Sequence, residues 1–184
     1  MPASVKCRHY LGQMNLHEQL SRPISKADKE RLALQASEDP ALFATLMDCF
    51  LDAPNRVVQN AAWVMSWAGE RRPGLLLPYL DRMADRLTAS DSDAVKRNIL
   101  RVLQYIDLPE HLWGPLADRS FALLSDTKEA VAIRVFAMTV LLNITREIPE
   151  LKTEVQILIE DQLPHGSAGF RSRGQKVLKE LEQL

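Results

Sequence analysis

The chain has 184 residues, 23 of them basic and 24 acidic, and its net charge is −1. This balance gives no overall field that would draw the protein to nucleic acid or anionic lipid. The 26% of charged residues, with no apolar run of about 18 residues, excludes a typical membrane protein. Cys7 and Cys49 have neither metal-binding nor redox spacing, so reduced thiols and a cytoplasmic location are expected.

The chain divides into a short N-terminal segment and a helical region. Residues 1–24 lack an apolar signal sequence and are expected to be partly disordered, whereas residues 25–184 are predicted to form one domain. Ser25 followed by Asp28 resembles a capping box, which predicts a helix over 25–37. Beyond it, first helices are predicted over 40–52, 74–88, 110–125 and 149–163, and second helices over 55–69, 93–107, 128–146 and 168–183. Because no strand-like alternation of useful length occurs, the predicted fold is all-α.

Proline positions agree with this division. Pro40 and Pro149 suit the first turns of their helices, where the missing N–H is not needed. Pro78 and Pro115 fall about one turn further in, so they are expected to start or kink their helices.

The second helices share one pattern of apolar residues. Within 93–107 it occupies Val95, Ile99, Val102, Leu103 and Ile106, which lie on one face of an α-helix. The same pattern recurs 38 residues earlier, at Val57, Ala61, Val64, Met65 and Ala68. It recurs 36 residues later, at Val131, Val135, Met138, Thr139 and Leu142. A further 39 residues on, it falls on Phe170, Gly174, Val177, Leu178 and Leu181. Thr139 and Gly174 depart from the pattern. Repeats of this length that contain only helices indicate a stack of helical hairpins.

The helix pairs also resemble HEAT repeats. The sequence Leu123-Leu124-Ser125-Asp126, followed by Val131, Arg134 and Ala137, is similar to the family's helix–turn–helix pattern, and Asn55-Arg56-Val57 followed by Ala61 and Ala62 is a second instance. The resemblance covers about four repeats, over residues 39–183. It implies a short right-handed α-α superhelix of antiparallel helix pairs, in which the second helices line the concave side. It specifies architecture more than function.

The predicted second helices carry an excess of six positive charges, and the first helices an excess of six negative charges. Another face of the second helices carries a further stripe of three residues per helix. In chain order these residues are Gln59, Trp63 and Ser66; Arg97, Arg101 and Gln104; Ile133, Ala137 and Val140; and Ser172, Lys176 and Lys179. This stripe predicts a groove with an aromatic anchor, basic patches and an apolar floor, suited to an acidic protein or peptide. The predicted partner-binding residues are Gln59, Trp63, Lys96, Arg97, Arg101, Arg134 and Lys176.

Structural interpretations of the same residues stay open. The charged stripe could be only a solvated face, and Trp63 and Trp67 could pack between repeats. The apolar third stripe could be buried by neighbouring helices, or could mediate assembly into an oligomer. Arg134 could form a structural ion pair with a nearby acidic residue.

Catalysis is not predicted. His9, His17, His111 and His165 are scattered without metal-ligand spacing, and the seven glycines form no phosphate-binding loop, so no metal or cofactor is expected. The alternative function is nucleic-acid binding, because a family of alkylpurine DNA glycosylases has a HEAT-like solenoid with a basic concave face. Those enzymes place a carboxylate beside aromatic residues, whereas here only Asp107 lies within four positions of Trp63 or Tyr105. The modest basic excess also makes nucleic acid the less favoured partner.

Overall fold

The computed structural model describes residues 15–52, 55–90 and 92–184, and the expectation for residues 1–14 lies outside them. Over these ranges the chain forms α-helices and short 3-10 helices and no strand. Two compact units divide the chain, one ending at Arg86 and the other spanning Leu87–Leu184. The fold is all-α, as predicted.

The first unit begins with two helices before the predicted repeats. They are α1, Leu16–Ser21, and α2, Lys26–Glu38. A helix pair follows, α3 at Pro40–Asp52 and α4 at Asn55–Arg71, and then a 3-10 helix over Pro73–Tyr79 and α5 over Leu80–Ala89, within which the unit ends. α4 packs against α1, α2 and α3, so it forms the centre of this unit.

Polar side chains fix where these helices start. The Ser25 hydroxyl accepts a hydrogen bond from the Asp28 backbone N–H at 3.1 Å and donates to the Asp28 carboxylate at 2.7 Å, which makes Ser25 the N-cap of α2. The Asp39 carboxylate accepts from the backbone N–H of Ala41 at 2.9 Å, and Pro40 begins α3. Pro78 lies in the 3-10 helix before α5, so the predicted helix 74–88 is divided there.

The second unit continues the helix pairs. It contains α6 at Asp93–Leu103, α7 at Glu110–Ser125, α8 at Val131–Glu147, α9 at Lys152–Gln162 and α10 at Ala168–Leu181, with 3-10 helices over Pro149–Leu151 and Leu163–His165. α7 continues through Pro115. α8 packs against its own first helix, α7, and against the second helices α6 and α10, so it is the most enclosed helix of the unit.

The core register of α8 differs from the predicted one. Of the predicted core positions on this helix, Val131 is exposed and Val135 and Thr139 are half-buried. Met138 and Leu142 are buried as predicted, and a second set, Ile133, Ala137, Val140, Leu141 and Ile144, is buried as well, each residue at most 1% exposed. The residues of this second set lie 38 positions after their counterparts Val95, Ile99, Val102, Leu103 and Ile106. Their own counterparts in α10 lie a further 37 positions along the chain. The true repeat is therefore more regular than shifts of 36 and 39.

Gly174 departs from the apolar pattern because α10 approaches α9 closely at this point. A Cβ at Gly174 would lie 2.9 Å from Leu163 Cδ2 and 3.1 Å from Ile159 Cγ2. Both distances are shorter than ordinary van der Waals contact, so an added Cβ would force the Leu163 and Ile159 side chains to shift. The missing side chain permits the helix pair to pack.

Candidate partner-binding surface

Gln59 and Trp63 lie on α4 in the first unit. Gln59 is exposed, but Trp63 is half-buried and stacks on Trp67, with ring centroids 4.2 Å apart and an interplanar angle of 22°. The Lys29 ammonium of α2 lies 5.5 Å from the Trp63 ring centroid, within the range of a cation–π interaction. Trp63 thus has packing partners of its own, which supports the interpretation that it joins neighbouring helices.

Lys96 does not face solvent, contrary to the predicted role in partner binding. It is 6% exposed, and its ammonium pairs with the Glu129 carboxylate and lies 3.6 Å from Asp93 Oδ1. The pair links α6 to the turn before α8. A buried charge of this kind is held by its partner and is not available to another protein.

Arg134 is also buried, at 8% exposure, so it cannot form part of an open binding face. Its guanidinium donates to the Gln162 side-chain oxygen and, at 3.4 Å, to the Leu124 carbonyl, and it lies 4.6 Å from the Phe170 ring centroid. Burial lowers the pKa of Arg134, and the charge of Asp126 opposes that effect. The expected structural role fits, but the direct partner is an amide instead of a carboxylate.

The predicted apolar floor on α8 is part of the core. Ile133, Ala137 and Val140 are each 0% exposed because α6, α7 and α10 cover them. The residues that occupy the stripe on this helix are Val135 and Thr139, which match Arg97 and Arg101 of α6 at the shift of 38. This stripe therefore offers neither an apolar groove nor a surface for oligomer assembly.

Side chains from three second helices meet on one accessible surface of the second unit. Arg173 of α10 donates through Nη1 to Thr139 Oγ1 of α8 at 2.7 Å and, more weakly, to Gln104 Oε1 beyond the end of α6 at 3.3 Å. Asn143 of α8 donates to the Gln104 carbonyl at 3.0 Å. These hydrogen bonds tie the helices together across the surface. We call it the α6–α8–α10 surface, formed by Arg97, Arg101, Gln104, Thr139, Asn143, Arg173 and Lys176.

A family model for the HEAT repeat domain matches residues 16–181 of the chain. The chain belongs to the HEAT repeat family. The match includes α1 and α2, so the HEAT region begins earlier than the residues that carried the resemblance in the sequence. Comparisons with curated proteins and with solved structures find no match.

The charges on this HEAT surface have one predominant sign. Arg97 and Lys176 are exposed, and Arg101 and Arg173 are half-buried, which gives four cations, two on α6 and two on α10. Arg146 lies at one edge, where it donates hydrogen bonds to Glu180 Oε2 at 2.6 Å and to Asn143 Oδ1 at 2.7 Å. The Glu180 carboxylate therefore balances its charge. The basic excess predicted from the sequence is thus smaller once Lys96 and Arg134 are buried, and it concentrates on these four side chains.

Sequence reasoning missed Arg173, Thr139 and Asn143 as members of this surface. The shift of 36 placed Thr139 in the core and assigned buried residues to the stripe instead. A constant shift near 38 aligns Thr139 with Arg101 and with Lys176, and this alignment is visible in the sequence. The signal was present, but apolar residues on nearly every side of α8 concealed it.

In residues 15–52, 55–90 and 92–184, no group of three or more His, Cys, Asp or Glu side chains could hold a metal ion. None of the helices described there combines the length and the apolar character needed to cross a lipid bilayer.

Proposed function

We propose that this HEAT repeat protein is a non-catalytic scaffold that binds an acidic segment of a protein partner on its second-helix face, the concave side in HEAT arrays. The α6–α8–α10 surface is the proposed contact region. HEAT repeats generally mediate protein interactions, and the observation that carries the assignment is the presence of Arg97, Arg101, Arg173 and Lys176 on α6 and α10, the two second helices that pack against α8.

Two properties of the α6–α8–α10 surface support the proposal: its positive charge and the fixed position of Arg173. Arginine binds carboxylates through a planar fork of N–H donors, so several arginines at a fixed spacing can select an acidic segment. Arg173 is held by Thr139 and Gln104, which reduces the conformational entropy that binding would otherwise cost. Arg97 and Lys176 are more exposed and would supply attraction that salt weakens.

A peptide selection tests this proposal directly. Random peptides displayed on phage are selected on the wild-type protein at low salt and then bound to the Arg97→Glu/Lys176→Glu variant. We expect selected peptides to be rich in Asp and Glu, and we expect the variant to bind them at least about tenfold more weakly, since two attractive contacts become repulsive.

The matched control is Lys128→Glu/Lys152→Glu, which makes the same charge change outside the surface. Its affinity for the selected peptides is expected to stay within about twofold of wild type, because neither side chain belongs to the surface and the effect of more distant charges is screened. Equal loss in both variants would refute a localised site, and selection of peptides without acidic residues would refute the proposed partner chemistry.

Duplex DNA is the alternative polyanion for a basic surface. A gel shift at low salt distinguishes the two, since phosphate binding falls steeply as salt rises. A shift that the Arg97→Glu/Lys176→Glu variant abolishes, together with failure to select acidic peptides, would assign the surface to nucleic acid.

A further inference from the structure

A cleft of about 480 Å³ opens beside the α6–α8–α10 surface, at the C-terminal ends of α6 and α8. Its size falls within the roughly 300–1,000 Å³ of typical ligand pockets. Gln104 and Asn143 line both the cleft and the surface, so the two are continuous. The charged and aromatic side chains that line the cleft are Tyr105, Asp107, Trp113, Arg146 and Glu147.

The cleft is negatively charged, in contrast to the neighbouring surface. Asp107 and Glu147 are both exposed carboxylates, and the charge of Arg146 is already balanced by Glu180. α6 ends at Leu103 and α8 ends at Glu147, so two helix C-termini add partial negative charge at this end of the repeats. An anionic group would be repelled here, and a cation would be attracted.

Two aromatic side chains give the cleft a shape suited to a particular cation. The Trp113 indole N–H donates to the Leu108 carbonyl at 2.8 Å, which holds the ring in place at the start of α7. Tyr105 is 60% exposed, although most large apolar side chains described are buried. Aromatic faces beside carboxylates favour a guanidinium or an ammonium on a flexible chain, through cation–π attraction and ion pairing.

We infer that this cleft binds an arginine or lysine side chain of the protein partner. The inference rests on the proposed function only in identifying the partner as a protein, since the cleft's own charge and aromatic walls select the side chain. Because the basic surface and the acidic cleft adjoin at Gln104 and Asn143, a bound segment would place acidic residues on the surface and a basic residue in the cleft.

Nuclear magnetic resonance with a minimal probe tests the inference. N-acetyl-arginine amide is titrated into the full chain labelled with ¹⁵N, and the uncharged isostere N-acetyl-citrulline amide serves as the control ligand. We expect saturable shifts of the Trp113 indole N–H and of the backbone amides of Tyr105 and Asp107 with arginine only. No saturable shift at Trp113, or equal shifts with citrulline, would overturn the inference.

Variants separate this site from the basic surface. Asp107→Asn/Glu147→Gln is expected to weaken binding of the arginine probe about fivefold or more, while Asp118→Asn/Glu154→Gln, which neutralises two exposed carboxylates elsewhere, leaves it unchanged. Both pairs are exposed, so the fold should tolerate either change, and circular dichroism verifies this. Equal effects of the two pairs would overturn the inference.

The Arg97→Glu/Lys176→Glu variant distinguishes failure here from failure of the proposed function. It is expected to lose acidic peptides and to retain the arginine probe. If acidic peptides bind the wild type but the arginine probe does not, the cleft inference alone is wrong. If duplex DNA shifts the same cleft signals and the arginine probe does not, the cleft belongs to a nucleic-acid site.

Discussion

Replacement of Arg134 by methionine tests how the second unit holds a buried guanidinium. Methionine keeps most of the side-chain length and removes the charge and the donors. In the native structure the guanidinium donates to Gln162, approaches the Leu124 carbonyl at 3.4 Å and lies 4.6 Å from the Phe170 ring centroid. Leu124 lies on α7, Gln162 on α9 and Phe170 on α10, so the effect should fall on the packing of α8 against these three helices.

The expected loss is about 1–3 kcal/mol of unfolding free energy. A hydrogen bond to a charged donor contributes about 1.5–3 kcal/mol, and a desolvated cation–π contact contributes up to about 2 kcal/mol. The variant also no longer has to bury a charged guanidinium, and this saved desolvation cost offsets part of the lost hydrogen-bond and cation–π contributions. Most of the remaining cost comes from the Gln162 side chain, which is 9% exposed and would be left without its donor.

A double-mutant cycle with Gln162→Leu separates these terms. The double variant Arg134→Met/Gln162→Leu also removes the Gln162 amide, so only the long hydrogen bond to the Leu124 carbonyl is lost without replacement, and its stability should return to within about 1 kcal/mol of wild type. Gln162→Glu, which supplies the carboxylate partner that the sequence had suggested, should retain the wild-type fold. Urea unfolding followed by circular dichroism measures each variant. An Arg134→Met variant within about 0.5 kcal/mol of wild type would refute the reasoning.

Three further predictions concern single positions. Gly174→Ala should destabilise the protein by about 1 kcal/mol, because overpacking against Ile159 and Leu163 outweighs the gain in helix propensity. Gly169→Ala is the control on the same helix: no atom lies within 4 Å of the added Cβ, so this change should be neutral or stabilise by up to about 1 kcal/mol. Thermal unfolding compares the two variants. Lys96→Met should cost roughly 3 kcal/mol in urea unfolding because it leaves the Glu129 carboxylate unpaired, and a loss below about 0.5 kcal/mol would mean that the pair is loosely held. Hydrogen bonds from Ser25 and Arg31 hold the pKa of Asp28 below its ordinary value of 3.8. The stabilisation that the Asp28 carboxylate contributes is therefore present above pH 3.8 and is lost as pH falls through the folded-state pKa. The stability difference between wild type and Asp28→Asn should shrink in acid, and a constant difference would contradict this.

The fold was largely readable from the sequence because repeat helices are local structures. The five positions of the pattern in the predicted helix 93–107 recur in α4 and α10 where they were predicted, and each is buried except for the half-buried Leu178. The start of α2 at Ser25 was also correct, since a cap depends on residues only three positions apart. Local hydrogen bonding and helical periodicity act over one or two turns, which a sequence displays directly.

α8 shows where sequence reasoning failed. Its apolar residues occupy nearly the whole circumference, so periodicity alone could not select the buried face. Contacts with α6, α7 and α10 made that choice and moved the core by two residues relative to the prediction. The same contacts buried Lys96 and Arg134, which the sequence had assigned to a partner.

The sequence by itself determined an all-helical HEAT array, its approximate repeat length and a basic excess on the second helices. Only the tertiary structure decided which cations are accessible, because the contacts that bury Lys96 and Arg134 join residues 33 and 28 positions apart in the chain. It also brought Arg173 onto Thr139 and Gln104 and placed Asp107 and Trp113 in one cleft. Periodicity fixes which residues form a helix, whereas packing between helices determines which side chains remain to bind a partner.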